Sequence, residues 1–329
     1  MQIFRNLTDA RLTEPTVLTI GTFDGLHRGH QALIGQLKEA ATRRQAQAAV
    51  IAFHPRPKTV LAPHKPNNDY LTTPEERIAL FEKLGLLDVL ILTPFSLEFA
   101  QTTAYDFMKA LTDRLNLVEL WAGHDFALGK NREGNITKLT ELGQEFNYTV
   151  HEFAPVFIEG KIISSTQIRQ LLLAGEVRQA AALLGRYPSV TGNIVHGDQR
   201  GGRTIGFPTA NLAAPPERLL PANGVYATFT QRSNDNRRYA SVTNVGIRPS
   251  FAGEERTVET YIFDLNEDVY GQKLMVEFVE YLRPEKKFTS INELRAQITH
   301  DASQTHRLLA EEVQNPKSWL SKFWSASKS

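Results

Sequence analysis

The chain of 329 residues contains no cysteine, which excludes disulfides, Cys-ligated zinc and thiol nucleophiles. It also lacks an excess of either charge: 37 Lys and Arg stand against 36 Asp and Glu, a formal net charge of +1. Without a global basic field, bulk nucleic-acid binding is disfavoured and only a local patch remains open. Long apolar runs are missing too. The most apolar stretch, Leu84 to Leu92, is short and carries Asp88, whereas a membrane-spanning helix needs about 20 apolar residues. The opening MQIFRNLTDARLTEPT has no basic region followed by an apolar core, so no secretory signal is read there. The expectation is a cytoplasmic protein with no membrane partner.

What is present is ordinary in bulk and specific in detail. Hydrophobic residues make up 41% and charged residues 22%, as in globular proteins with real cores. At roughly 150 residues per domain, the length suggests about two domains. From Thr16 to about Gly185, short apolar runs alternate with segments of helical spacing. Thr16–Ile20, Ala48–Phe53, Asp88–Leu92, Leu117–Ala122 and Tyr148–Phe153 read as strands covered on both faces. Leu33, Ile34, Leu37, Ala40 and Ala41 share a helical face, as do Ile78, Phe81 and Leu84, and Phe107, Met108, Leu111 and Leu115. Pro74 suits a first helical position and Ser165 an N-cap. The alternation predicts an α/β domain with a doubly wound parallel sheet, whose ligands bind beyond the carboxyl ends of the strands.

From Pro188 the rhythm changes to period two. Val190–Val195, Gly224–Thr230, Tyr239–Val245, Arg256–Phe263 and Lys273–Leu282 read as strands separated by turn clusters, a barrel or a sandwich. A final helix is expected from about Ser290 to Glu312, anchored by Leu294, Ile298 and Leu308 or Leu309. The boundary falls near Arg186–Pro188. No internal repeat or low-complexity segment is seen, and Trp319, Phe323 and Trp324 in the tail are expected to pack on something.

Two segments carry chemistry. Gly21, Phe23, Asp24, Gly25, His27, Gly29 and His30 follow the first predicted strand and open the first long helix. The glycines permit a sharp turn and close approach to a ligand, and a helix N-terminus offers N–H groups to phosphate. Two imidazoles three residues apart can both address one α-phosphate and stabilise charge developing there. A plain helix entry with local hydrogen bonds is the alternative for any isolated His pair. The second segment runs from His196 to Leu212, with Gly197, Gly201, Gly202 and Gly206 as a loop able to approach phosphate. Thr209 and Asn211 stand two apart on expected extended backbone, so both face one way, and their oxygens suit Mg²⁺ together with waters and nucleotide phosphates. A Gly-rich turn followed by a Pro-initiated strand is the alternative.

Gly21-x-Phe23-Asp24-Gly25-x-His27-x-Gly29-His30 resembles the first signature of nucleotidyltransferases with a His-x-Gly-His motif, in a form shared by FAD synthetases and cytidylyltransferases. Ile163-Ser164-Ser165-Thr166-x-Ile168-Arg169 resembles the second signature of that superfamily. Phe53-His54-Pro55-Arg56-Pro57 and the loop from Gly123 through Asp125 and Phe126 to Gly134 resemble loops of bacterial FAD synthetases. Gly206-Phe207-Pro208-Thr209-Ala210-Asn211-Leu212 resembles a hallmark of riboflavin kinases. Asn244–Phe251, with Ser250 where the family more often has Thr, Thr257–Asp264, Tyr270-Gly271 and Leu282–Phe288 follow in that family's order.

Nearly the whole chain thus resembles the bacterial bifunctional riboflavin kinases/FAD synthetases. The resemblance implies an α/β nucleotidyltransferase domain (FMN adenylyltransferase) over 1–186, and an antiparallel β-barrel riboflavin kinase domain with a terminal helix over 187–329. It implies that riboflavin is phosphorylated to FMN, and FMN adenylylated to FAD with release of pyrophosphate, both with ATP and Mg²⁺. For adenylyl transfer it implies His27, His30 and Arg169 as catalytic residues. It further implies Gly21, Phe23, Asp24, Gly29, Ser164, Ser165 and Thr166 at ATP, and His54, Pro55, Pro57, Asp125 and Phe126 at the flavin. For the kinase it implies Glu259 as general base, Gly197, Gly202, Arg203, Gly206, Phe207 and Pro208 at ATP, and Thr209 and Asn211 at the metal. The implied partners are riboflavin, FMN and ATP, with transient self-association left open. Two other readings are weighed: a cytidylyltransferase-type enzyme acting on a small phosphate ester, and a flavin-binding regulator without catalysis.

Overall fold

The computed structural model describes residues 1–62, 69–158, 160–195, 207–232, 237–250, 253–265, 267 and 269–314. The chain divides into two compact units, Met1–Ser164 and Ser165–Ser329.

The first unit is built on a six-stranded, wholly parallel sheet. Its strands are β1 (Gln2–Phe4), β2 (Thr16–Gly21), β3 (Gln47–Phe53), β4 (Val89–Thr93), β5 (Leu117–Gly123) and β6 (Thr149–Phe153), in the order β1-β4-β3-β2-β5-β6. β1 was not visible as a strand in the sequence. Three residues are too few to show a period, and only pairing with Val89–Ile91 makes them one. Between the strands lie α1 (Arg28–Arg43), α2 (Pro57–Leu61), α3 (Pro74–Leu84), α4 (Ala104–Leu115) and α5 (Ile136–Phe146). A short hairpin of β7 (Phe157–Ile158) and β8 (Lys161–Ile162) closes the unit.

Alternation along each strand feeds two cores. Ala48, Val50 and Ala52 of β3 join Leu33, Ile34, Leu37 and Phe81 on one face. Ala49, Ile51 and Phe53 join Phe107, Met108, Leu111 and Leu139 on the other. This two-sided burial is why the strands read as continuous apolar runs. The helix ends follow local rules. Pro74 opens α3 behind a capping box formed by Thr73 and Glu76, and Asn135 caps α5. After β4 the chain crosses to the far side of β2, so the order reverses between β2 and β5. The crevice at that reversal, beyond the strands' carboxyl ends, is where such sheets bind ligands.

The second unit opens with α6 (Ser165–Leu173) and α7 (Val177–Leu184), the latter stopped by Gly185 in the left-handed region. Ser165 is the first residue of α6 rather than the cap ahead of it. Six antiparallel strands then form a closed barrel: β9 (Ser189–Val195), β10 (Ala210–Ala213), β11 (Gly224–Arg232), β12 (Arg238–Ser250), β13 (Gly253–Ile262) and β14 (Lys273–Arg283). Their order is β10-β13-β12-β11-β14-β9. Of the two architectures expected from the period, the barrel is the one formed. Its interior holds Val190, Tyr226, Val245, Val258, Leu274 and Phe278. It also holds a ladder of hydroxyls. Thr228 lies 2.8 Å from both Ser241 and Thr243, Thr230 2.8 Å from Ser241, and Thr243 3.0 Å from Thr260. Each buried hydroxyl finds another, which removes the cost of its desolvation.

Helix α8 (Ile291–Gln314) lies on the outer face of the barrel, where Leu309 packs with Ala227, Phe229 and Val279. The predicted anchors Leu294 and Ile298 are only half-buried; the buried stripe is Asp301, Thr305 and Leu309. A polar stripe is tolerated because Arg283 reaches it. Its Nε donates to both Asp301 carboxylate oxygens, at 3.0 and 3.1 Å, and its Nη2 to Oδ2 at 2.8 Å. Further along, Arg178 and the Tyr187 hydroxyl both donate to Glu312. Among the described residues, no helix is long and apolar enough to cross a membrane. The tail residues Trp319, Phe323 and Trp324 lie outside the described residues.

Two expectations concern α8. Asp301→Ala strands Arg283 beside an apolar face and should lower stability by about 2–3 kcal/mol, toward the low end for a broken buried pair because Arg283 is partly exposed; chemical denaturation measures this. At the other end, Lys286 and the Thr289 N–H and hydroxyl hold the Glu293 carboxyl at about 2, against an ordinary 4.5. A depressed carboxyl stabilises above its unfolded value and ceases to do so as pH falls through its folded one. Amide-exchange protection at the start of α8 should therefore fall between pH 4.5 and about 2, and Glu293→Gln should remove that dependence.

Candidate active sites

In the first unit, the turn from Gly21 to His30 is shaped by side chains that fold back onto it. His27 is the N-cap of α1, and its Nδ1 accepts the His30 backbone N–H at 3.3 Å. An accepting Nδ1 leaves Nε2 to carry the proton of a neutral ring. The His27 and His30 rings stack at 3.7 Å, and Phe23 packs on His30 at 5.0 Å. The neighbouring glycines make room for these rings. A Cβ at Gly29 would stand 3.1 Å from the His27 ring, and one at Gly21 3.1 Å from the Phe23 ring. Burial first, then His27 and Arg77, push the His30 proton affinity well below the usual range for histidine.

Asp24, which the resemblance assigns to ATP, is 0% exposed. Its carboxylate accepts the backbone N–H groups of Leu71 and Thr72 at 3.0 Å and the Thr72 hydroxyl at 3.1 Å. The same hydroxyl accepts the Gly25 N–H at 3.0 Å. Asp24 thus ties the glycine turn to the segment that leads into α3. Arg56 lies 3.5 Å from Asp24, pairs with Asp69 and stacks on the Tyr70 ring at 4.1 Å. Arg77, fully buried, donates to the Phe53 carbonyl at 3.1 Å. Sequence reasoning passed over Arg56 and Arg77, whose partners are remote in the chain. The only signal was the position of Arg56 between two prolines.

The other predicted residues of this unit cluster at the same end of the sheet. His54 follows β3, donates its N–H to Thr93 and packs on Tyr70 at 5.2 Å. Pro55 follows it, and Pro57 opens α2. Beyond β5, Asp125 is exposed, and Phe126 packs at the edge of the core, its N–H donating to Gly123. A chain of rings, Phe53, Phe95, Phe99 and Phe107, runs edge to face at 5.4 to 5.6 Å. Phe95 and Phe99 were also missed; they lie in a loop without periodicity. The Ile163 carbonyl stands 3.7 Å from where a Gly29 side chain would begin, so the segment leading to Ser164 passes the histidine turn. Ser165, Thr166 and Arg169 lie on the first turns of α6 in the second unit.

In the barrel, strand register assembles the second site. Asn211 of β10 pairs with Glu259 of β13, and Glu259 with Asn244 of β12. Residues directly opposite in a sheet share a face. Their sequence neighbours Ala210, Leu212, Val258, Thr260, Thr243 and Val245 are buried in the interior, so this polar row points outward. Asn244 was quoted in the sequence only as part of a motif; its amide donates to Glu285 at 3.2 Å. Glu285 fits because Gly246 has no side chain; a Cβ there would stand 2.5 Å from the Glu285 carboxylate. Aromatic rings line the same outward face of β13. Phe207 packs on Tyr261 at 5.2 Å, Tyr261 on Phe263 at 5.3 Å, and His306 of α8 stacks on Phe263 at 4.3 Å. Thr209 and Pro208 immediately precede β10. Gly197, Gly202, Arg203 and Gly206 lie outside the described residues.

Among the described residues no three His, Asp or Glu converge to hold a metal. Thr209 and Asn211 carry hydroxyl and amide oxygens, hard donors whose chemistry would suit Mg²⁺.

Comparison with known proteins finds two families along the chain. The FAD synthetase family matches residues 9–167, and the riboflavin kinase family residues 184–309. The bifunctional riboflavin kinase/FMN adenylyltransferase of Listeria monocytogenes is 34% identical over 90% of this chain and 93% of its own. The Bacillus subtilis protein of the same name is 36% identical over 89% and 92%, and that of Escherichia coli K12 36% over 88% and 91%. A solved structure described as a macrolide-efflux protein from Streptococcus pneumoniae is 34% identical, with a TM-score of 0.83, and covers 92% of this chain and 98% of its own. With both family patterns in sequence along one chain, and relatives aligned over nine-tenths of it, the chain belongs to the bifunctional riboflavin kinase/FMN adenylyltransferases.

Proposed function

We propose that two separate ATP sites on this chain act in turn on one flavin. The enzyme is a riboflavin kinase and an FMN adenylyltransferase of flavin-cofactor biosynthesis; the proposal concerns which residues do each part. Residues 1–186 are assigned adenylyl transfer and 187–329 riboflavin phosphorylation. The stretch 165–184 packs with the second unit, through the Ala222 N–H to the Leu172 carbonyl and through Arg178 to Glu280, so compactness and division of labour part company there. A cytoplasmic setting, where ATP is supplied, belongs to the same reading.

In the kinase, the observation that carries the assignment is the outward row of Asn211, Glu259 and Asn244. Glu259 accepts the proton of the ribityl 5′-hydroxyl and holds that oxygen in line with the γ-phosphate of ATP. The new O–P bond forms as the bond to ADP breaks. Phe207, Tyr261 and Phe263 offer the flavin an apolar wall beside the row, and Gly197, Gly202, Arg203, Gly206, Phe207 and Pro208 are assigned to ATP. A Mg²⁺ ion held by Thr209 and Asn211 would neutralise phosphate charge there.

In adenylyl transfer, an FMN phosphate oxygen attacks the α-phosphorus of ATP and pyrophosphate leaves. No proton transfer to the protein is needed, so positioning and electrostatics dominate. His27 and His30 donate to the non-bridging α-phosphate oxygens. Ser164, Ser165, Thr166 and Arg169 take the β- and γ-phosphates through hydroxyl, backbone and guanidinium donors. Gly21, Phe23 and Gly29 shape the turn around the nucleotide, which Asp24 holds in place. His54, Pro55, Pro57, Asp125 and Phe126 are assigned to the FMN side.

Chromatography of products formed from riboflavin, ATP and Mg²⁺ tests both halves. Glu259→Ala should lower riboflavin phosphorylation by about 10²–10⁴-fold, the range for a lost general base, while supplied FMN is still converted to FAD. Equal turnover of riboflavin by that variant would refute the base assignment. His30→Ala should do the converse: FMN accumulates and FAD does not, and undiminished FAD formation would remove His30 from the reaction.

A further inference from the structure

Behind the imidazole pair lies a charge that neither nucleotidyltransferase signature contains. Arg77, on the first turn of α3, is 0% exposed. Its Nη1 donates to the Phe53 carbonyl, while its Nε and Nη2 have no hydrogen-bond partner among the described residues. Geometry places the guanidinium on the core side of the histidine turn. One helical turn beyond Arg77, Phe81 packs edge-on against Phe23 at 5.8 Å, and Phe23 in turn packs on His30. The carbonyl that Arg77 holds follows Ala52, the residue paired with Gly21 at the start of the turn.

A buried charge with a single direct hydrogen bond is expensive for a fold. If the task were only to tether α3 to β3, a neutral amide donor would do it without burying an ion. The charge is partly balanced. Burial weakens the hold of Arg77 on its proton, and Asp24 and Tyr70 oppose that, while Arg56 adds to it. Asp24, however, is shared with Arg56 and with the N–H groups of Leu71 and Thr72.

We propose that Arg77 is a positioning residue for adenylyl transfer, a fixed positive charge behind the Phe23–His30 contact that sets how the His27–His30 pair meets the nucleotide. The proposal rests on the reading of His27 and His30 given above. Around His30 the charged and titratable groups are His27 on its own helix and Arg77 on α3; around Arg77 they are Asp24, Tyr70, Arg56 and Glu75. Burial, His27 and Arg77 all disfavour a protonated His30. The ring therefore meets the phosphates uncharged, as a directional hydrogen-bonding group, and the transition state draws on positive charge already fixed in the protein.

The test uses the full chain and two substitutions. Arg77→Gln keeps an amide donor for the Phe53 carbonyl but removes the charge; Arg77→Lys keeps the charge. NMR titration of the His30 ring and the pH profile of FMN adenylylation are read together, with riboflavin phosphorylation as the internal control. In Arg77→Gln, His30 should titrate at higher pH and the acid limb of kcat should move with it. At the plateau kcat should fall roughly tenfold or more, with KM for FMN within about twofold and riboflavin phosphorylation unchanged. Arg77→Lys should titrate close to wild type and keep most of its kcat. An unmoved His30 titration in Arg77→Gln, or an Arg77→Lys protein as slow as His30→Ala, overturns the proposal. If Arg77→Gln does not fold, the lysine variant decides by the same two criteria. Full FAD formation by His30→Ala would instead sink the histidine assignment, and the titration shift would still report the charge.

Discussion

The loops at the carboxyl end of the parallel sheet depend on one carboxylate. Asp24 has no contact with solvent, and its oxygens meet two backbone N–H groups, a hydroxyl and a guanidinium. A carboxylate can be kept there only because each lone pair has a donor. The strands are held by their own ladder, but the turn after β2 has no ladder, and at Phe23, Gly25 and Leu26 the backbone has positive φ. Such a turn persists when its surroundings over-determine it. Asp24 supplies that constraint by joining the turn to the approach to α3, and Arg56 extends it to the loop after β3. Three loops at the carboxyl end of the parallel sheet are thus parts of one buried network.

The barrel solves the same problem in the opposite way. Its polar network is the interior hydroxyl ladder, which is uncharged and self-satisfied. The row of Asn211, Glu259 and Asn244 stands outside, on the alternate residues of the same strands. Period two therefore does double duty: moving one residue along β13, from Val258 to Glu259 to Thr260, passes from core to outer face and back to core. A one-residue slip of register would exchange the two faces, so the pairing of Asn211 with Glu259 and Asn244 is as strongly specified as the core itself.

Much of this was legible in the amino-acid order. Strands β2, β3 and β4 announce themselves as apolar runs because both sheet faces are covered there, whereas the edge strand β6 is half-exposed; the barrel strands show by alternation. The glycine turn after β2 stood out because a sharp turn at a helix entry has few residues to choose from. What was not legible depends on partners distant in the chain. β1 is a strand only through β4. Nothing near Asp24 in the chain shows that Leu71 and Thr72 hold its carboxylate. Arg77 reads as one more charge on a helix rich in them, and its burial follows from the reach of its side chain across the end of β3. Helix α8 buries Leu309 as expected, but where Leu294 and Ile298 were expected it buries Asp301, because Arg283 arrives from a strand eighteen residues earlier.

Barrel closure carries a consequence for how the protein is made. Val190 of the first barrel strand pairs with Val276 of the last, so the ring cannot shut until nearly the whole second unit has left the ribosome. The parallel sheet has no such wait, since its last strand ends at Phe153. During synthesis the parallel sheet is complete while the barrel is still open, and the loop-closure entropy of its closing pair, β9 with β14, is met late. A nascent chain that stalls before β14 is complete would leave β9 paired with β10 on one side only, with an open strand edge of the kind that recruits other chains.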